Sequence, residues 1–172
     1  MGIVVVFAIA AIIVVTIYGL SQGKSLLGSS KNEAMTNELS TISAQMSSHY
    51  TTLGSFAGAT TATEIANGDI PSTDVDTATG TVNTPYGGTL VISGPGSVNG
   101  GTNNAVGLSV NNMAQQDCIK LATSESAYGI NSGTTVGGGV NAIHSPATDA
   151  QAQGICTAAE GNTLTFTYTL GG

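Results

Sequence analysis

Residues 1–20 read MGIVVVFAIAAIIVVTIYGL and residues 35–53 read MTNELSTISAQMSSHYTTL, and the join between the two decides the fold. The first stretch is uncharged and apolar all round. Twenty residues at about 1.5 Å each span about 30 Å, the thickness of a bilayer's hydrocarbon core. No basic region precedes the run and no A-x-A-like site follows it, so an ordinary cleavable signal peptide is not expected. An anchor whose own leader has been removed fits the pattern. In the second stretch, after Leu27, apolar residues recur at Met35, Leu39, Ile42, Met46, Tyr50 and Leu53, in steps of three and four from Met35 onward. They trace one apolar stripe on a helix, with Glu38, Ser43, Gln45 and Ser47 expected to turn away from it. Gly54 is a natural stop. Residues 1–53 are therefore expected to form one nearly continuous helix of about 80 Å.

Three parts follow from this reading. Residues 1–25 are the apolar anchor half, 26–53 the amphipathic half of the same helix, and 54–172 a globular head. At the junction, Gly19, Gly23 and Gly28 fall among Ser21, Ser25, Ser29 and Ser30. Each interior glycine weakens a helix by about 1 kcal/mol relative to alanine. The segment reads either as a linker after a membrane span or as a helix break selected to unwind in a polymer.

The 172-residue chain carries three lysines, no arginine and ten acidic residues, for a net charge of −7. Lys24 and Lys31 are the only cations in its first hundred residues. Nucleic acid is thereby disfavoured as a direct partner, because phosphate neutralisation needs clustered basic residues. Glycine (24 residues), serine, threonine, asparagine and alanine dominate the rest, which suits a turn-rich extracellular domain. Cys118 and Cys156 are not in a C-x-x-C motif, and only His49 and His144 are available to complete a zinc site with them. A disulfide is the better reading for a chain that faces an oxidising compartment.

Residues 54–84 read as a surface loop with a short turn near Thr63–Ala66, punctuated by Gly68, Pro71 and Gly80. Thr84-Pro85-Tyr86-Gly87-Gly88 signals a turn into a strand over Thr89–Ser93. A Gly/Asn-rich hairpin-like loop, 94–104, leads to a second strand at Ala105–Val110. Asn111 or Asn112 is expected to cap a helix from Met113 to about Ser124, with Met113, Cys118, Leu121 and Ala122 inward. Residues 129–154, with Gly137-Gly138-Gly139, read mostly as loop. Leu164, Phe166, Tyr168 and Leu170 alternate with Thr163, Thr165, Thr167 and Thr169, a period-two strand. The fold class is α+β.

No catalytic constellation emerges, and no cofactor is implied. His49, on the long helix, and His144, in a loop, stand without partners in the sequence, and no nucleophile-elbow motif supports a Ser/His/Asp triad. Asp69, Asp74 and Asp76 lack the ligand spacing of a calcium loop and read as solvated acids. Gly94–Gly100 matches no phosphate-binding fingerprint. The chain is read as a non-enzyme with no metal site.

Several local stretches resemble one family: Tyr50-Thr51-Thr52-Leu53-Gly54 at the helix end, Asn83 to Gly88, Asp117-Cys118-Ile119-Lys120-Leu121-Ala122-Thr123, and Cys156 before the last strand. With the apolar N-terminus and long helix, they resemble the type IV pilins, specifically the type IVb class of toxin-coregulated, bundle-forming and conjugative thin pili. The resemblance implies the pilin fold, a long N-terminal helix packed on an antiparallel β-sheet head. It implies a major subunit that polymerises with copies of itself into an extracellular pilus, for conjugation or adhesion, after storage in the inner membrane. Prepilin peptidase, the pilus assembly machinery and a surface receptor or recipient cell are the implied partners. Met1 would be the processed, N-methylated residue, and the Cys118–Cys156 disulfide would bound a variable region. One departure stands out: the family's acidic residue near position five is replaced by Val4-Val5-Val6. The rival reading is a minor pilin or a monomeric, membrane-anchored binding domain.

Overall fold

The computed structural model describes residues 30–98, 100–124, 135–136, 143–144 and 146–170. Met1, the apolar run, Leu27 and the candidate break at Gly19, Gly23 and Gly28 lie outside the described residues, as does Gly137–Gly139. Among the described residues no helix is long and apolar enough to cross a membrane.

Helix α1 covers residues 30–53. Met35, Leu39, Ile42, Met46 and Tyr50 are all buried, as their spacing requires. The buried face is wider than the apolar stripe. Thr36 and Ser43 are also buried, each with its hydroxyl bonded back to a helix carbonyl, Asn32 O at 2.8 Å and Ser40 O at 3.1 Å. Ser43, expected to turn outward, is tolerated inside because that bond satisfies it. Glu38, also expected outside, is half-buried, and its Oε1 lies in the interior. At the other end the stripe stops one step early: Leu53 is 62% exposed. Gly54 takes φ +69° there and donates its N–H to Tyr50 O at 2.9 Å, ending the helix.

The segment after α1 holds more structure than its composition suggests. Helix α2, Thr61–Asn67, is capped by the Thr60 hydroxyl, which accepts from Thr63 N, and is closed by Gly68 at φ +80°. Two short strands follow, β1 (Val75–Asp76) and β2 (Thr81–Asn83). Next come β3 (Thr89–Gly96) and β4 (Ala105–Met113), both longer than expected. Helix α3 is Gln115–Ala122, shorter than expected because Met113 still belongs to β4. Neither Asn111 nor Asn112 caps it. Asn112 takes φ +63° where the β4–β7 register shifts, and its amide donates to Gly87 O. The backbone N–H of Gln115 instead donates to Ala159 O at 3.0 Å.

Residues 129–154, expected to be mostly loop, contain β5 (Thr135–Val136), β6 (Ile143–His144) and all but the last residue of helix α4 (Asp149–Ile155). His144 thus lies in a strand. The α4 start is a capping box: the Thr148 hydroxyl accepts from Gln151 N while Gln151 Oε1 accepts from Thr148 N at 2.9 Å. Strand β7, Asn162–Thr169, closes the fold.

The strands form one antiparallel sheet in the order β1-β2-β3-β4-β7-β5-β6, so the last strand of the chain sits inside the sheet. Register sets its two faces. Leu90, Val110 and Leu164 align in one row, and Ile92, Leu108 and Phe166 in the next. All six are buried, in one core with the α1 stripe. The opposite face aligns Val91, Ser109 and Thr165, then Ser93, Gly107 and Thr167. The Ser109 and Thr165 hydroxyls are 2.8 Å apart.

Candidate functional site

Three constructions fix the surroundings of α1. The first is covalent. Cys118 on α3 and Cys156 at the end of α4 are joined by a disulfide with Cα atoms 5.9 Å apart, both fully buried. Hydrogen bonds run alongside it: Ala147 N–H donates to Ala122 O at 3.1 Å, and the Gln115 side-chain amide donates to Cys156 O at 2.9 Å. The bridge thus ties α3, which packs on β7, to α4.

A second construction lies near the start of α1. The Tyr86 hydroxyl, in the Asn83–Gly88 turn, donates to Asn32 Oδ1 at 2.9 Å, and Asn32 Nδ2 donates to Asp117 Oδ1 at 3.3 Å. Burial, with Asp117 and Glu38 nearby, pushes the Tyr86 hydroxyl up from its ordinary value. The turn needs a glycine for space: a Cβ at Gly88 would stand 2.3 Å from Asn111 O. Two motifs singled out in the sequence, the Asn83–Gly88 turn and the Asp117 segment, therefore meet on the same residue of α1.

The third lies at the far end of α1. Tyr50 donates its hydroxyl to Glu64 Oε1 at 2.7 Å, stacks on His49 with ring centroids 4.9 Å apart, and tilts against Phe56 at 5.2 Å. Glu64, on α2, is fully buried. Burial pushes its carboxyl up to about 7; the Tyr50 hydrogen bond opposes this, and the Asp69 carboxyl beside it adds to it. Burial and the Glu64 contact likewise push the Tyr50 hydroxyl up. His49 Nδ1 lies 3.1 Å from Asp69 Oδ2, so the histidine has a partner that the sequence did not disclose. Nothing in the spacing of 49, 64 and 69 could have announced the meeting, because the α1–α2 turn creates it.

The three loop aspartates go different ways. Asp69 faces His49, Asp74 Oδ1 accepts from the Thr73 hydroxyl, and Asp76 Oδ1 accepts from Ala78 N–H at 2.9 Å. Backbone N–H groups hold the Asp76 carboxyl below its ordinary value.

A helix laid along an antiparallel sheet, with a disulfide joining the two helices that precede the last strand, is the type IV pilin fold. The chain belongs to the family described as PilS N terminal, which matches residues 29–169. Among solved structures it is similar to TcpA, a type IV pilin from Vibrio cholerae El Tor biotype. That match has 20% identity and a TM-score of 0.56 over 81% of this chain and 99% of that one. A type IV b pilin from Salmonella typhi also matches, at 23% identity and TM-score 0.48, over 76% of this chain and 98% of the other. No curated protein matches the chain.

Proposed function

We propose that this chain is the major structural subunit of a type IVb-like extracellular pilus. One observation carries the reading. In sequence, the apolar run Met1–Leu20 precedes by nine residues a helix, residues 30–53, that is buried along one face against a pilin-type sheet. On this reading residues 1–25 wait in the inner membrane and then form the filament core, while 26–53 fasten the head to that core. The head, 54–172, presents the α1–α2 loop and the segment between Cys118 and Cys156 to neighbouring subunits and to a receptor or recipient cell. Prepilin peptidase and the assembly machinery act on Met1 and the apolar half, and Gly19, Gly23 and Gly28 are where the helix unwinds during assembly.

Filaments sheared from cells producing the chain provide the test. Negative-stain images should show pili, and mass spectrometry of the sheared subunit should identify this chain with a methylated Met1. If the chain stays in the membrane fraction and no filament contains it, it is a membrane-anchored binding domain. If it occurs at a few copies per filament, it is a minor pilin.

A further inference from the structure

We propose that His49, Glu64 and Asp69 form a binding site for one zinc-class divalent cation, which fastens α2 to the end of α1. The three side chains come from three places: the last turns of α1, the middle of α2, and the residue after α2's Gly68 cap. One donor atom from each lies within 4.8 Å of the other two. Tetrahedral zinc with ligands at about 2.0–2.2 Å holds them about 3.3–3.6 Å apart. The His49–Asp69 pair, at 3.1 Å, is already slightly closer than that spacing. Closing the rest takes about 1 Å, which the exposed imidazole can supply by rotation.

An independent feature points to a ligand. Glu64 is fully buried: Oε1 takes the Tyr50 hydroxyl, while among the described residues Oε2 meets no N–H or O–H donor and the other side chain beside the carboxyl is that of Asp69, itself a carboxyl. A buried carboxylate oxygen without a donor is costly, and a cation between Glu64 and Asp69 removes both that cost and the repulsion between the two carboxyls. Charge also balances, because two carboxylates and a neutral imidazole carry −2. The donor set selects the ion: one imidazole nitrogen and two carboxylate oxygens suit zinc and its first-row neighbours. Calcium prefers six to eight oxygens.

The surroundings have the form of an outer shell. Tyr50 orients Glu64, and Gln45, with its amide nitrogen turned inward, donates to Gly68 O at 3.2 Å and Asp69 O at 3.0 Å, holding the loop that carries Asp69. Entry is open through the His49 side chain, 40% exposed, and Asp69, 13% exposed.

The test uses the full chain in detergent, stripped with chelator and titrated with zinc chloride by calorimetry and thermal unfolding. One zinc per chain is expected, with Tm raised roughly 5–10 °C at a hundredfold excess over Kd. His49→Ala, which removes an exposed ring, and Asp69→Asn should abolish both effects, and His144→Ala should leave both intact. Glu64→Gln keeps an acceptor for Tyr50, so it should fold yet fail to bind. Absence of saturable binding in the unaltered chain, or undiminished binding in His49→Ala, overturns the site. Either result leaves the filament reading untouched, because all three ligands belong to one subunit.

Discussion

Cutting the link between Cys118 and Cys156 should cost the head about 4 kcal/mol, and a double-mutant cycle isolates that figure. The two residues are separated by 38 positions. In the chain-entropy treatment, a closed loop of that length removes about 13 cal/mol/K from the unfolded ensemble, hence about 4 kcal/mol at 25 °C. Each cysteine is also fully buried, so truncation to alanine leaves a small void costing about 0.5–1 kcal/mol. Cys118→Ala and Cys156→Ala should each lose about 5 kcal/mol, since either one opens the loop. The double variant should lose only slightly more, because the link can be broken only once. The non-additivity is then the link itself, about 4 kcal/mol. Urea unfolding followed by circular dichroism measures all four corners of the cycle. The unlinked proteins should also show a larger m-value, since their unfolded chains expose more surface. The hydrogen bonds from Ala147 to Ala122 and from Gln115 to Cys156 and Ala159 survive reduction and should keep α3 and α4 in place once folded. Additive losses, or a coupling below about 1 kcal/mol, would refute the reasoning that the bridge acts by constraining the unfolded chain.

Two further predictions concern the interior. Burial, and secondarily Asp74, pushes Glu38 up to about 7 from its ordinary 4.5. Its proton is held more tightly in the folded state, so the stability it contributes is fully present below pH 4.5 and is lost as pH rises to about 7. Glu38→Gln should therefore gain about 1–2 kcal/mol over the unaltered chain at pH 8 and nothing at pH 4.5, partial exposure keeping the gain below the full shift. Urea curves at the two pH values, with chelator present, check this; Glu64, raised into the same window, leaves a residual slope in the variant. Gly88→Ala and Gly154→Ala should move thermal stability in opposite directions. The first drives a Cβ to 2.3 Å from Asn111 O and breaks the turn's approach to β4, whereas the second adds a methyl in open space on α4 and should stabilise by about 0.5–1 kcal/mol.

The long-range plan was legible because it is written in periodicity. The steps from Met35 to Tyr50 and the alternation from Leu164 to Phe166 and Tyr168 each encode one face of one element, and both faces are buried. Helix α4 carries no apolar period, because Asp149–Ile155 contains only small and polar residues with one isoleucine. Its capping box, Thr148 with Gln151, was readable as a local signal. Helix α2 was blurred in the same way by its threonines. The Asn112 error has a different cause: asparagine serves both as a helix cap and as a residue that accepts positive φ, and the strand's register claimed it for the second. The polar cluster of His49, Glu64 and Asp69 had no sequence signature at all, since its members meet only through the turn at Gly54 and the docking of α2.

The two polar networks on α1 explain more together than apart. A stripe of Met35, Leu39, Ile42 and Met46 supplies apolar area, but area alone does not fix where a helix stands along a sheet. Sliding α1 by one turn, about 5.4 Å, exchanges one apolar side chain for another of similar size. Hydrogen bonds do not tolerate that exchange, because a displaced partner is left buried and unpaired. Near one end of the described helix, Asn32 joins Tyr86 and Asp117; at the other, Tyr50 joins Glu64. The partners lie 54, 85 and 14 positions away in sequence, so α1 is tied to three separate parts of the head. Burial therefore supplies the attraction, and the polar contacts at either end set the register. That division fixes where the head stands along residues 30–53.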